Sequence, residues 1–258
     1  MSLYYEGETV LHRLNPLTKL VLSLVAVAHM IAFPDLWPIL THVVLGALLV
    51  LYARPKLPRG LWLGILTLLI GHAWVNAVLY GGDTMILDLR IVRISAEGLA
   101  FGAKLAARVL AIVLYSIAVA STTNPRDLAV SMSRQLGVNY RYAFAAFVTF
   151  RMAPLVSRDL ENILLSRKMR GWKQRSPVAA VASVLAPLLA LVAKRSVTMS
   201  LSMESRGFGA YKDRTYYRDV KVTRTDYLAI AAYVLYLVAV TAVLHYAGLL
   251  GRLFELSD

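Results

Sequence analysis

Two arginine-glycine pairs are the residues of this chain best suited to bind a partner. The pattern Leu-Ser-x-x-x-Arg-Gly occurs at 165–171 and again at 201–207, each time followed by an aromatic residue. A guanidinium offers five donors in a rigid fork that fits acidic side chains or backbone carbonyls. Glycine ends a helix and lets a partner's backbone approach, and a serine four residues before the arginine keeps that helix face narrow. A single copy would be explained as a helix stop, but the repeat indicates one surface that contacts a partner twice. The six candidate docking residues are Ser166, Arg170, Gly171, Ser202, Arg206 and Gly207.

Other residues could perform different chemistry, and they leave two alternative functions open. An integral membrane enzyme acting on lipid would need converging carboxylates, serine or histidine, but Asp159 and Glu161 are two residues apart on a predicted helix and do not face each other. A stand-alone channel or carrier would use Lys104 and Arg108, an i, i+4 pair inside an apolar segment. The chain contains no cysteine, and its five histidines do not fall at a metal-ligand spacing. We therefore expect no catalytic residue and no metal site.

The composition indicates an integral membrane protein. Of the 258 residues, 58% are hydrophobic and only 17% are charged. A run of about 20 apolar residues crosses the hydrocarbon core of a bilayer, and five runs have roughly this length. They are Leu17–Phe33, Leu36–Tyr52, Leu61–Tyr80, Gly98–Ser121 and Tyr227–Leu250. In the fourth run, the small residues Gly98, Gly102 and Ala106 predict close packing against another helix.

A basic region separates the fourth run from the fifth. Residues 122–226 hold 18 Lys or Arg and 7 Asp or Glu, so the positive-inside rule places this region in the cytoplasm. It contains two predicted amphipathic helices, from Tyr140 to Gly171 with a kink or restart at Pro154, and from Pro177 to Gly207. We expect the second, about 30 residues long, to lie along or obliquely into the cytoplasmic membrane face. A shorter helix, Pro125–Leu136, precedes both.

These elements predict an all-α integral membrane protein with about five transmembrane helices and a cytoplasmic-face module of long amphipathic helices. Residues 1–121 form a membrane domain with four spans, 122–226 form the module, and 227–258 form the last span and an outside tail. We expect a multi-pass protein of the cell membrane, plasma or inner, with its amino terminus and module in the cytoplasm. The lipid bilayer surrounds it, and no nucleic-acid partner is expected.

Several segments resemble the transmembrane T component of energy-coupling factor transporters, the family that includes the membrane subunit of cobalt importers. They are Leu11–Leu20, Ser121–Leu128, Arg151–Pro154 and the two Arg-Gly ends. The most specific is Ser202–Phe208, which is similar to the family's Ala-Met-Glu-Ala-Arg-Gly-aromatic pattern. The departures are small or isosteric: Ser166, Ser202 and Ser205 stand where alanine is usual, Asn15 where aspartate is common, and Asn124 where a second proline or threonine is frequent.

The resemblance implies a role for the two Arg-Gly ends, because in that family they are coupling helices that dock into grooves on two cytoplasmic ATPase subunits. It implies an ABC transporter complex in which the partner ATPases bind ATP and Mg, while this non-catalytic subunit has no cofactor of its own. A separate small membrane subunit would bind the substrate, a vitamin, cobalt or nickel. Apolar residues of the module are candidates for contact with that subunit, with packing among the helices as the alternative explanation. They are Met132, Phe144, Phe147, Leu185, Leu189 and Met199.

Overall fold

The computed structural model describes residues 4–5, 7, 9–55, 57–82, 84–88, 93–171, 176–211, 216 and 220–249. In chain order its elements are α1 (Val10–Arg13), α2 (Pro16–Ala32), α3 (Leu36–Ala53), α4 (Arg59–Leu79), β1 (Met85–Asp88), β2 (Arg93–Ser95), α5 (Ala96–Thr122), α6 (Pro125–Gln135), α7 (Tyr140–Met169), α8 (Pro177–Glu204) and α9 (Arg224–Tyr246). Apart from the short antiparallel hairpin β1–β2, the elements of the described residues are helices. The all-α prediction is confirmed, and the hairpin is an element that the sequence did not predict.

The chain divides into two compact units. One comprises residues 3–124 and 221–258, and we call it the membrane unit. The other comprises residues 1–2 and 125–220, and we call it the basic unit, because its sequence carries most of the excess positive charge. Helices α6, α7 and α8 belong to the basic unit, and the remaining elements belong to the membrane unit.

Local sequence explains where the long helices begin and end. Ser176 caps α8, since its hydroxyl accepts a hydrogen bond from the Ala179 amide, and Pro177 occupies the first helical position, where the predicted helix begins. Helix α9 starts with a capping box between Thr223 and Asp226. The sequence predicted a kink or a restart at Pro154, and the restart does not occur: α7 is one continuous helix of 30 residues. A proline removes one backbone donor, and a helix of this length can bear that loss.

Helix α5 is the centre of the membrane unit, because α3 and α4 both pack along it. Its glycines make one of these contacts possible. A Cβ on Gly98 would come within 2.6 Å of the Ala77 carbonyl oxygen, and one on Gly102 would collide with the carbonyl of Ala73. The predicted small-residue packing face is therefore confirmed at Gly98 and Gly102, where α5 lies against the backbone of α4.

Five helices in the described part of the chain are long and apolar enough to cross a membrane, which confirms a multi-pass membrane protein. They are Leu36–Ala53, Gly60–Leu79, Ala96–Thr122, Val178–Glu204 and Arg224–Tyr246. The number matches the prediction but the membership does not. The first predicted span is the 17-residue helix Pro16–Ala32, which is shorter than the others. Helix α8, which we expected to lie along or obliquely into the membrane face, also has the length and composition of a span, because the helix continues unbroken through Pro187 and the Lys194-Arg195 pair.

Candidate docking site

The first Arg-Gly pair ends helix α7. Arg170 is the residue that caps this helix, and its amide donates to the Ser166 carbonyl at 3.2 Å. Gly171 follows with φ +63°, the left-handed conformation that glycine adopts without strain, and its amide donates to the Lys168 carbonyl at 3.2 Å. Both Arg170 and Gly171 are exposed. The aromatic residue of this copy, Trp172, lies outside the described residues.

The second pair ends helix α8 in the same way. Gly207 has φ +73°, and its amide donates to the Glu204 carbonyl at 2.9 Å. The next amide, that of Phe208, donates to the Met203 carbonyl at 2.9 Å, which completes a Schellman motif. Arg206 therefore stands directly before a left-handed glycine, as Arg170 does, and it is also exposed.

The two serines of the repeat are equivalent as well. The Ser166 hydroxyl donates to the Asn162 carbonyl at 2.8 Å, and the Ser202 hydroxyl donates to the Thr198 carbonyl at 2.7 Å. Each hydroxyl is thus held by the preceding turn of its own helix. A small side chain folded back in this way leaves room for a neighbouring backbone beside the arginine, although both serines remain exposed.

Helices α7 and α8 are antiparallel. The Arg167 guanidinium, near the end of α7, contacts the hydroxyl and carbonyl of Ser183 near the start of α8. Midway, Arg195 forms an ion pair with Asp159, whose Oδ2 lies 2.7 Å from Nη1 of the arginine. The two Arg-Gly ends consequently lie at opposite ends of the pair, separated by roughly the length of a helix, about 40 Å.

The chain that follows the second Arg-Gly end folds back onto the start of α7. The Phe208 ring lies 5.6 Å from the Tyr140 ring and 5.0 Å from the Phe144 ring. The Tyr140 hydroxyl donates to the Tyr211 carbonyl at 2.8 Å, and the Arg141 guanidinium contacts the Gly209 carbonyl. The aromatic residue of the second copy therefore fixes the α8 end against α7.

The six apolar residues predicted to contact the substrate-binding subunit do not form one surface. Phe144 and Met199 line the same groove between α7 and α8, a cavity of about 310 Å³. Phe147 lies 6.0 Å from Phe144 and beneath the guanidinium of Arg126, at 5.6 Å. Leu185 lines a different hollow beside Arg167, Leu189 is exposed on α8, and Met132 is partly buried on α6. Phe144 and Phe147 therefore make much of their contact with residues of this chain, as the alternative explanation of internal packing predicts.

The amino-terminal motif Leu11–Leu20 holds the membrane unit together. The Asn15 amide donates to the Asp226 carboxylate of α9 at 2.7 Å, and the Asn15 side chain caps α2. The ammonium of Lys19, which is 5% exposed, donates to the Thr122 carbonyl at the end of α5, at 2.9 Å. The motif therefore joins the starts of α2 and α9 to the end of α5, and a lysine at a helix carboxyl end complements the helix dipole.

His12 of the same motif sits outside the membrane-crossing helices. Its ring bonds the Thr9 hydroxyl at 2.7 Å and the Tyr5 carbonyl at 3.0 Å. Burial lowers the pKa of His12 below its ordinary value, with a further lowering contribution from the charge of Lys19, while the bond to the Tyr5 carbonyl acts in the opposite direction.

Sequence reasoning missed a polar chain inside the membrane unit. Nδ1 of His29 lies 3.0 Å from Nε2 of His42, and the other nitrogen of His42 lies 3.0 Å from the Tyr115 hydroxyl. Nε2 of His29 lies 3.1 Å from the Thr241 hydroxyl. The short Pro34-Asp35 link makes α2 and α3 neighbours, so the position of both histidines within two turns of it was a usable signal. No three potential metal ligands come together among the residues described.

The carboxylates considered for lipid chemistry do not converge. Asp159 is engaged by Arg195, and Glu161 is exposed on α7. The role of Asp159 is therefore structural: its ion pair with Arg195 holds α7 against α8.

Comparison with known proteins identifies the family of the chain. A family model described as CbiQ, cobalt transport protein, matches residues 7–217. The chain is 27% identical, over 83% of its length and 86% of the relative's, to the energy-coupling factor transporter transmembrane protein EcfT of Listeria innocua serovar 6a. It is 26% identical to the EcfT protein of Bacillus selenitireducens, over 93% of its own length and 94% of that protein. The chain therefore belongs to the CbiQ family, the family of transmembrane T components that its motifs resemble.

Proposed function

We propose that this protein is the coupling subunit of an energy-coupling factor importer, linking two cytoplasmic ATPases to a separate substrate-binding membrane subunit. The observation that carries the proposal is the matched pair of exposed Arg-Gly helix ends on one antiparallel helix pair. Each end offers a guanidinium and a left-handed glycine to a partner, and the two ends are far enough apart for one ATPase each.

The proposed mechanism uses the stiffness of the helix pair. ATP and Mg bind to the ATPases, and this subunit has no cofactor. When the ATPases close and open, they move Arg170 and Arg206 relative to each other. Because the Asp159–Arg195 ion pair and the Phe208 contacts tie α7 to α8, the motion changes the groove between the helices that Phe144 and Met199 line. The substrate-binding subunit would contact this side, and cobalt, nickel and vitamins all fit as its substrate.

The orientation follows from charge. Arg54 and Arg59 flank the link between α3 and α4, and the basic region adds most of the positive charge of the chain. We place both, together with the amino terminus, on the cytoplasmic side of the cell membrane, where the ATPases are, with α8 lying along the membrane face and not across it.

The test is affinity purification of the tagged chain from its native membranes in mild detergent. In the Arg170→Ala/Arg206→Ala double variant, ATPase recovery should be abolished, and each single variant should lose part of it. Truncation of an interface arginine that anchors a partner costs about 2 kcal/mol, or roughly thirtyfold in dissociation constant.

The matched control is the Arg158→Ala/Lys194→Ala double variant, which removes the same charge from exposed positions on the same two helices. It should recover ATPases like wild type. Equal losses in both double variants would mean that the basic unit attracts ATPases only through its overall charge. A folded wild-type chain that recovers no ATPase would contradict the proposal.

A further inference from the structure

Arg108 is a charged residue in the middle of a membrane-crossing helix. It stands twelve residues after Ala96 and fourteen before Thr122 in α5, so it lies about 18 Å and 21 Å from the two ends of that helix. The hydrocarbon core is about 30 Å thick, so an arginine side chain here is close to mid-depth. The side chain is partly buried, and its Nε is buried without a hydrogen-bond partner in the described part of the chain.

The neighbouring cation Lys104 differs in its surroundings. Its ammonium lies 5.6 Å from the centre of the Phe101 ring, and Phe101 stacks on Tyr80 at 4.4 Å. Lys104 is also one turn nearer the start of α5, from where a lysine can extend its charge towards the interface. Arg108 has neither an aromatic face among the described residues nor the reach to leave the hydrocarbon, so its charge is the more costly of the two.

The membrane-crossing helices that the structure describes supply no carboxylate at that depth. In the described helices that can cross a membrane, the acidic residues are Glu97, Glu204 and Asp226, and each lies in the first or last turn of its helix. Helix α2 contains none. A second copy of the chain would bring the same helices and the same lack of a mid-depth acid. The counter-charge must therefore come from a different molecule.

We propose that the face of α5 carrying Arg108 docks a membrane-spanning helix of a different protein, and that this helix carries an aspartate or glutamate at mid-depth. A guanidinium and a carboxylate that meet in hydrocarbon each lower the free-energy cost of placing the other's charge there. The forked donors of the guanidinium also fix the orientation of the pair. This contact is on the membrane unit and is separate from the two Arg-Gly ends. It does not depend on ATPase binding.

The first test compares the melting temperature of purified variants in detergent. An arginine whose counter-charge lies on another protein destabilises the isolated chain. Arg108→Leu should therefore melt at a higher temperature than wild type. Lys104→Leu is the control, and it should bring no gain because it gives up the contact with Phe101. An unchanged or lower melting temperature for Arg108→Leu would show that the guanidinium is satisfied within the chain, and would overturn the proposal.

The second test identifies the partner atom. Membranes containing the Lys104→Arg/Arg108→Lys double variant, in which position 108 carries the only amine of the pair, are treated with the apolar reagent dicyclohexylcarbodiimide. The reagent activates a carboxylate in hydrocarbon, and the amine then forms an amide with it and releases the urea. Mass spectrometry should find position 108 joined to an Asp or Glu within an apolar segment of another protein. The Lys104→Arg single variant, with arginine at 108, should give no such product.

Other outcomes would overturn the proposal: no product above that control, a link to an acid of this chain or of a second copy, or a link only to lipid phosphate. ATPase recovery is followed in the same membranes with Arg108→Leu and should equal that of wild type. If wild type recovers no ATPase but the amide forms, the proposed coupling function fails and the docking site on α5 stands.

Discussion

The membrane unit and the basic unit bury their side chains to very different extents. His42 and Asp226 in the membrane unit are fully buried, and Lys19 is 5% exposed, each with hydrogen-bond partners on other helices. In the basic unit, the apolar stretch of α8 has no buried residue. Met169, beside the first Arg-Gly end, is 82% exposed. The membrane unit is stabilised by its own contacts, whereas the long helices of the basic unit leave apolar surface for lipid or partner proteins to cover.

The strongest test of this difference is truncation at one site in each unit. His42→Ala removes a fully buried ring that contacts His29 and Tyr115, and leaves a cavity and unpaired polar atoms. It should lower the free energy of unfolding by about 2–5 kcal/mol, measured by denaturation in mixed micelles. Leu189→Ala, at a side chain that is 63% exposed on α8, should change it by less than about 0.5 kcal/mol. Similar costs at the two sites would remove the distinction between the units.

A smaller effect should separate packed from open helix surface within the membrane unit. Gly102→Ala places a Cβ against the Ala73 carbonyl, so it should cost about 1–3 kcal/mol through overpacking. Gly64→Ala, in α4, meets nothing within 4 Å and should stabilise the helix by at most about 1 kcal/mol. Melting temperatures of both variants in the same detergent check this. If Gly102→Ala were as stable as Gly64→Ala, α4 and α5 could separate freely at this contact.

The smallest expected effect concerns pH and the amino-terminal motif. Because folding lowers the pKa of His12, the unfolded chain binds the proton more tightly, and this residue's contribution to stability is lost as pH falls through its unfolded and then its folded pKa. Wild type should therefore lose slightly more stability than His12→Gln between pH 7.5 and pH 5, by less than about 0.5 kcal/mol given the partial exposure of the ring. Unfolding of both proteins at the two pH values measures this difference. A larger loss in His12→Gln would reverse the sign.

Sequence predicted the helices well because their signals are local. The cap at Ser176, the first-turn Pro177 and the left-handed Gly171 and Gly207 all act within a few residues, and the helix start at Pro177 and the two glycine ends were found where expected. Run length was less reliable. It placed a span at Leu17–Phe33, where the helix has only 17 residues, and none in α8, which by length and composition alone would also qualify.

Contacts between distant residues could not be read from the chain. The bond from Asn15 to Asp226 joins residues 211 positions apart, and the antiparallel placement of α7 and α8 depends on pairings such as Asp159 with Arg195. No periodicity specifies these partners. The Arg-Gly residues were predicted as a docking site from sequence alone, but their separation at opposite ends of a helix pair needed the three-dimensional structure.

The histidine chain of the membrane unit also has a direction. The Thr241 hydroxyl donates to the Leu237 carbonyl at 2.7 Å, so its oxygen must accept from Nε2 of His29. With one ring hydrogen on each imidazole, His29 then accepts from His42, and His42 accepts from the Tyr115 hydroxyl. Each hydrogen therefore points the same way, from α5 through α3 and α2 to α9. The contacts among these four helices thus fix one tautomer for each of the two histidines.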